Sequence, residues 1–212
     1  MADFYSIKSE TVHELVIKKS RFIAWAVPVS SAEKAGEFLD RARKLWPGAA
    51  HYCYAYILRE PYGEKYSDDG EPAGTAGLPI LNVIKSYNYT NVLVMVVRYF
   101  GGILLGASGL VRAYATAASH VLERAEKQPF IRGQRLKVET DYVYWGKIEY
   151  LCRLENVLTE RVVFDTAVRA DFLVPLASVE RFKKSIITIS RGTAVISTGE
   201  CKYYPGDEEA PL

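Results

Sequence analysis

The sequence predicts an α+β protein of two domains, and three observations carry that prediction. Extended and amphipathic helical patterns are mixed through the first 125 residues. The second half reads β-α-β-β-α-β, the split-βαβ order of a ferredoxin-like domain. The chain's 212 residues, 49% of them hydrophobic and 25% charged, suffice for two small cores and exclude a disordered or fibrous chain.

Residues 12–17 and 21–29 are rich in β-branched and aromatic side chains and read as strands. Ser30-Ser31-Ala32-Glu33 reads as a capping box, a serine hydroxyl accepting from an early helix N–H while Glu33 reaches back. Behind it Ala35, Phe38, Leu39, Ala42, Leu45 and Trp46 fall at helical spacing until Pro47-Gly48 stops the helix. Residues 50–58 form a strand with His51, Cys53, Ala55 and Ile57 on one face. Tyr52, Tyr54 and Tyr56 take the other face; they could stack bases on an open sheet, but core beneath a helix is the better reading, since no RNP1 pattern accompanies them. A polar, glycine-rich loop spans 63–77 and a helix 75–86. Residues 91–99 are almost wholly apolar, as in a strand buried on both faces, and a helix covers 110–125.

Pro129 and Gly133 suggest a linker over 127–133, between a first domain at 1–130 and a second at 133–205. The second domain orders strand 134–140, helix 142–154, strands 160–164 and 167–174, helix 178–187 and strand 192–201. Its helices place Tyr144, Ile148 and Leu151, then Val179, Phe182 and Ile186, on single faces. An acidic tail follows at 206–212, expected to fray.

Net charge is +2, carried by a mild surplus in residues 1–132, so any contact with a polyanion must run through a local patch. The longest aliphatic run, residues 92–97, falls far short of the roughly 18–20 residues of a membrane helix. The start lacks the basic head and apolar stretch of a secretory signal. Cys53, Cys152 and Cys201 are too scattered for a disulfide framework, which points to a reducing, cytoplasmic compartment.

Eight of the 15 glycines lie between Gly63 and Gly109, and two explanations compete. Tight turns and close helix contacts need residues without a Cβ. Alternatively, bare amides ahead of a helix form an anion site. In Arg98-Tyr99-Phe100-Gly101-Gly102-Ile103-Leu104-Leu105-Gly106-Ala107-Ser108-Gly109 a buried strand feeds a helix through glycine turns, with Arg98 and Arg112 flanking it. Neither a Walker A loop nor a dinucleotide fingerprint is present, so no nucleotide cofactor is expected. Ser67-Asp68-Asp69-Gly70-Glu71-Pro72 offers carboxylates for metal or acid–base work; the competing reading is a turn in which Asp68 or Asp69 caps the next helix or pairs with arginine. His51 and Cys53 share a strand face, as a metal pair or nucleophile–base pair would, or as hydrogen-bonded core. No metal site is expected, because further ligands at metal spacing are missing. Lys18-Lys19-Ser20-Arg21-Phe22 is the densest basic cluster. Read as extended chain, it points Lys19 and Arg21 one way, along a phosphate backbone or as a lysine-protected edge.

The strings K-K-S-R-F-I-A, A-x-H-Y-C-Y-A-Y, Y-S-D-D-G-E-P-A-G-T-A-G-L-P-I-L and V-V-R-Y-F-G-G-I-L-L-G-A-S-G-L-V-R-A-Y resemble the YigZ/IMPACT family over residues 17–118. The second half is similar to the smaller C-terminal domain of the bacterial branch. The resemblance implies a first domain like ribosomal protein S5, domain two, and a second like the last domain of elongation factor G. It also implies a cytoplasmic protein tied to translation, as eukaryotic relatives regulate initiation by interfering with activation of an initiation-factor kinase. The motif positions are His51, Asp68, Asp69, Glu71, Gly74, Thr75, Arg98, Gly101, Gly102, Gly106, Gly109 and Arg112, and the family attaches no catalytic role to them. From residues and resemblance together, a non-enzymatic translation factor is expected, binding RNA or a ribosomal surface through the glycine loop, Arg98 and Arg112, with Lys18, Lys19 and Arg21 adding reach. Two alternatives stand beside it. One is an enzyme acting on a small phosphorylated or carboxylated substrate through Asp68, Asp69 or Glu71; the other is an adaptor holding a protein partner in translation.

Overall fold

The apolar run at the middle of the chain becomes the central strand of the first sheet. In the computed structural model, which describes residues 2–206, β6 (Val92–Tyr99) lies between β3 (Ser20–Pro28) and β4 (His51–Leu58). The edges are β2 (Thr11–Ile17) and β5 (Gly63–Ser67), and every neighbouring pair is antiparallel. A strand bordered on both sides and covered on both faces must be apolar throughout, and all six residues of the run are fully buried.

Side-chain alternation divides this sheet between two cores. Ala24, Ala26, Cys53 and Ala55 face α2 (Gly77–Ser86) and α3 (Ala107–Arg124), where small side chains let two helices approach together. Trp25, Tyr52, Tyr56 and Met95 face α1 (Ala32–Leu45), where aromatic bulk fills the space beneath a single helix. Ser31 caps α1, accepting from the Lys34 N–H, and its hydroxyl bond to Glu33 holds that carboxyl below its usual range. A short β1 (Phe4–Ile7), absent from the sequence reading, sends Ile7 into the α2–α3 core.

The chain divides into two compact units, Phe4–Gln128 and the remainder. The second contains most of β7 (Lys127–Thr140), then α4 (Tyr142–Leu154), β8 (Leu158–Phe164), β9 (Val168–Pro175), α5 (Val179–Ile189) and β10 (Val195–Pro205). Its strands lie in the order β10-β7-β9-β8, all antiparallel. Both helices cover one face, burying Leu136, Ile148, Phe172, Phe182 and Ile186. The protein is thus a mixed α/β chain of two domains.

Several expectations are corrected. Residues 127–133 are no linker: they open β7, whose ladder with β10 already runs at Phe130. The glycine-rich loop begins with a strand, β5, because Tyr66 and its neighbours pair with β4. Leu45 is half exposed, since α1 turns it away from the sheet. Lys18 and Lys19 are not extended: with φ of 46° and 65° they are the two central residues of the β2–β3 hairpin turn, between paired Ile17 and Ser20. Of the expected acidic tail, residues 207–212 lie outside the described residues.

The N-terminus of α2 has no capping side chain at its own N-cap, Ala76. Asp68 supplies it from the preceding loop: Oδ1 accepts from the amides of Ala76 and Gly77 at 2.9 and 2.8 Å, and Oδ2 from Gly74 at 2.9 Å. Gly77 is required there, because a Cβ would stand 2.7 Å from the Ser67 backbone. Burial opposes the Asp68 charge, but the three amides together outweigh it and hold the carboxyl below its usual range. Asp68→Ala should cost about 1–2 kcal/mol by urea denaturation. Because the folded carboxyl titrates lower than the unfolded one, the charge-dependent stabilisation is whole above the unfolded value and lost as pH falls through the folded one. The advantage of the parent over Asp68→Asn should therefore be largest near neutrality and shrink towards about pH 3.

Candidate functional site

Register brings distant motifs to one place. Arg98 on β6 stands opposite Phe22 on β3 and His51 on β4. Val94 and Val96 point into the α2–α3 core, so Arg98, two residues further on, points the same way, where the core gives out into loops. Glu71 comes down from the acidic loop to meet it. Arg98 Nη1 donates to Glu71 Oε1 at 2.6 Å, and the Tyr114 hydroxyl, from the buried face of α3, donates to the same oxygen at 2.7 Å. His51 Nε2 stands 3.8 Å from that oxygen, and its Nδ1–H donates to the Asp69 carbonyl at 2.9 Å. The Arg98 and Glu71 side chains are only 6% and 3% exposed. Rings of Phe22 and Phe100 each lie 5.5 Å from the guanidinium carbon. Ser20 Oγ accepts from Arg98 Nη2 at 3.4 Å and from the Gly101 amide at 3.1 Å, tying this cluster to the glycine loop.

The three carboxylates of the acidic loop therefore turn to different partners. Asp68 caps α2. Asp69, with φ of 41°, accepts from the Tyr52 amide at 2.7 Å and from Arg43, which also lies over the Tyr52 ring. Glu71 holds Arg98, and Thr75 Oγ1 donates to the Pro72 carbonyl at 2.7 Å. Among the described residues, no three His, Cys, Asp or Glu side chains gather as a metal site would need. The Cys53 thiol donates to the Asp68 carbonyl, and burial, against the bond to Tyr114 and reinforced by nearby carboxylates, pushes it up to about 12. A thiol held that high supplies no thiolate nucleophile near neutrality.

The glycine loop lies against the lysine turn. A Cβ at Gly101 would sit 2.0 Å from the Lys19 carbonyl carbon, so only glycine lets the two backbones approach. Gly102 and Gly106 take φ of 81° and 73°, conformations that disfavour a side chain. Gly106 is the N-cap of α3 and offers its amides no side-chain acceptor; Ala107, Ser108 and Gly109 follow with no acid in the first turn. Arg112, one turn on, is exposed and, among the described residues, donates only to the Ser108 carbonyl, an intrahelical contact. Lys18 and Lys19 meet no carboxylate among the described residues, whereas Arg21 is held by Glu14 through two bonds of 2.6 and 2.8 Å.

Two family models match this chain. One, described as Impact N-terminal domain, covers residues 18–122; the other, described as Domain of unknown function (DUF1949), covers 138–193. IMPACT family member YvyE of Bacillus subtilis is 34% identical over 201 residues, covering 94% of this chain and 93% of its own. The chain belongs to the IMPACT family. IMPACT family member YigZ of Escherichia coli is 33% identical over 186 residues, covering 84% of this chain and 88% of its own. A solved crystal structure, described only as that of a hypothetical protein, superimposes with a TM-score of 0.67 at 30% identity, covering 94% of this chain and 98% of that one. The matched Impact segment contains the buried cluster, the glycine loop and the lysine turn.

Two expectations about the site change. Arg98 does not face solvent as a phosphate grip; its charge is neutralised inside by Glu71. Arg21 is likewise satisfied, at the surface, by Glu14. Tyr114 and Ser20 are the residues missed. Both stand within the family-like strings, but only tertiary contact shows that one completes the Glu71 shell and the other ties Arg98 to the glycine loop.

Glu71→Gln keeps an acceptor for Tyr114 but strands the Arg98 charge in the interior, and should cost about 3–5 kcal/mol in urea denaturation. The double variant Glu71→Leu/Arg98→Met should recover more than half of that, since apolar replacement removes the buried charge. Native protein treated with iodoacetamide near pH 8 should be alkylated at Cys201 alone by peptide mass mapping. Cys53 and Cys152 are buried, with thiols pushed up to about 12, and should react only after unfolding.

Proposed function

We propose that this IMPACT-family protein is a translation-associated factor that binds RNA, free or at a ribosomal surface, where the Lys18–Lys19 turn meets the glycine loop. The observation that carries this reading is the seating of that turn on Gly101, at the head of a loop leading to the uncapped start of α3. Amides without a side-chain cap, the positive end of an 18-residue helix and two lysines that meet no carboxylate among the described residues suit phosphate oxygens. Left-handed conformations at two lysines cost about 1 kcal/mol each where asparagine and glycine would be easier. Retained strain of that kind is a feature of functional sites. Family membership supports the link to translation. Arg98 acts here as a positioning residue, holding Ser20 and through it Gly101.

The acid–base alternative has no free carboxylate in the acidic loop, because Asp68, Asp69 and Glu71 are each committed to internal donors. We also infer a ferredoxin-like second domain, supported by the strand order β10-β7-β9-β8, and a first domain like ribosomal protein S5, domain two, supported by the family match.

Anisotropy of fluorescein-labelled single-stranded RNA, titrated across a salt series, tests the reading. Affinity should fall steeply with salt, and Lys18→Gln/Lys19→Gln/Arg112→Gln should weaken binding at least about tenfold and flatten the log–log slope by about 2. Affinity indifferent to salt, or a triple variant that binds like the parent, would remove the phosphate grip.

A further inference from the structure

Both faces of the second domain carry ion pairs, and among the described residues the helical face also sets unpaired cations beside apolar surface. On the open sheet face, Arg135 pairs with Glu160 and Glu200, Lys202 with Glu160, and Arg169 with Glu139 and Asp165. Most of that surface's charge is paired internally, although Lys137 and Arg161, exposed on the same face, meet no carboxylate among the described residues. On the helical face, Lys147 of α4 and Lys184 of α5 meet no carboxylate among the described residues. Arg181 meets one, Glu155, at 3.2 Å.

Those cations border apolar surface. Val143, Tyr150 and Leu154 fall at i, i+7 and i+11 on α4, one stripe with Lys147 at i+4, and they are 76%, 63% and 64% exposed. Isolated exposed apolar residues are ordinary, but a helical stripe of three continuous with a groove is not. An open groove of about 600 Å³ runs beside the stripe, with Leu151 and Ile189 in its lining and Arg181, Lys184, Ser185 and Thr188 completing it. Gly146, on the exposed side of α4, would place a Cβ in open space, so none of the described residues covers the helix there.

We propose that the α4–α5 face is a docking surface for an acidic amphipathic helix of a protein partner. Aliphatic residues at i, i+3, i+4 and i+7 of that helix lie along Leu151, Leu154 and Ile189, and its flanking carboxylates meet Lys147 and Lys184. Charge complementarity selects the occupant: Lys184 in the groove and Lys147 in the adjoining stripe lack counter-charges among the described residues and stand beside apolar walls, which suits an acidic helix and disfavours a basic one. This face is separate from the RNA surface proposed above, so either reading can fail without the other.

The test is selection from a library of displayed helical peptides against the full chain, followed by anisotropy of the recovered sequences as fluorescein-labelled synthetic peptides. Recovered binders should be rich in Asp and Glu with aliphatic residues on one face. Leu154→Asp/Lys184→Glu should weaken them at least about tenfold. Both positions are exposed, so the melting temperature should stay near that of the parent; Tyr150→Ser/Lys147→Glu provides a second variant should the first lose its fold. Binders without acidic bias, binders held equally by both variants, or binders displaced by RNA would overturn the proposal. So would tighter peptide binding only after removal of residues 207–212, which would assign the groove to the chain's own acidic end.

Discussion

The buried pair between Arg98 and Glu71 is the constraint on which the rest of the first domain depends. A guanidinium on the inner face of a central strand cannot stay in an apolar core without a counter-charge. Among the described residues, only the loop between β5 and α2 brings a carboxylate to it. Folding that loop over the strand ends has further effects, because its residues are few and closely spaced. With Glu71 on Arg98, Asp68 falls on the first amides of α2 and Asp69 on the Tyr52 amide. The second nitrogen of the same guanidinium holds Ser20, which holds Gly101. One interior charge thus sets the acidic loop, the hairpin turn and the start of the glycine loop relative to one another.

The consequence at the surface is a separation of labour among basic residues. Arg98 is spent inside and Arg21 is tied to Glu14, so the free positive charge near the glycine loop is left to Lys18, Lys19 and Arg112. Backbone shape does the rest. Glycine at 101 permits contact with Lys19 that any side chain would block, and the left-handed lysines turn tightly enough to reach it. In the second domain most charges of the sheet face are paired, and on the helical side Lys147 and Lys184 stand beside exposed apolar groups.

Much of this was visible in residue order. The alternation His51, Cys53, Ala55 against Tyr52, Tyr54, Tyr56 predicts the two faces of β4, and the apolar run predicts a central strand, because both patterns are local consequences of side-chain period and burial. Two helices, α2 and α3, began two and three residues away from where sequence placed them, since their N-caps, Ala76 and Gly106, carry no capping side chain to mark the boundary, whereas α4 began at Tyr142 as read. β1 and β5 escaped notice for another reason: four or five residues with mixed polarity become strands only when a neighbouring strand offers its edge. The supposed linker failed on the same ground, as Pro129 and Gly133 are compatible with a strand whose partners lie far away in the chain.

By itself the sequence determined the family, the mixture of helices and strands and the two-domain plan, all of which follow from motif strings and hydrophobic period; it did not single out Tyr114 or Ser20. Only tertiary structure decided which of the motif residues face inward. Arg98 and Arg112 look alike as flanks of one glycine loop, yet a strand register puts the first beside a buried carboxylate and a helix start leaves the second in solvent. Burial and charge pairing are properties of neighbours brought together by folding, and the chain does not write down who those neighbours are.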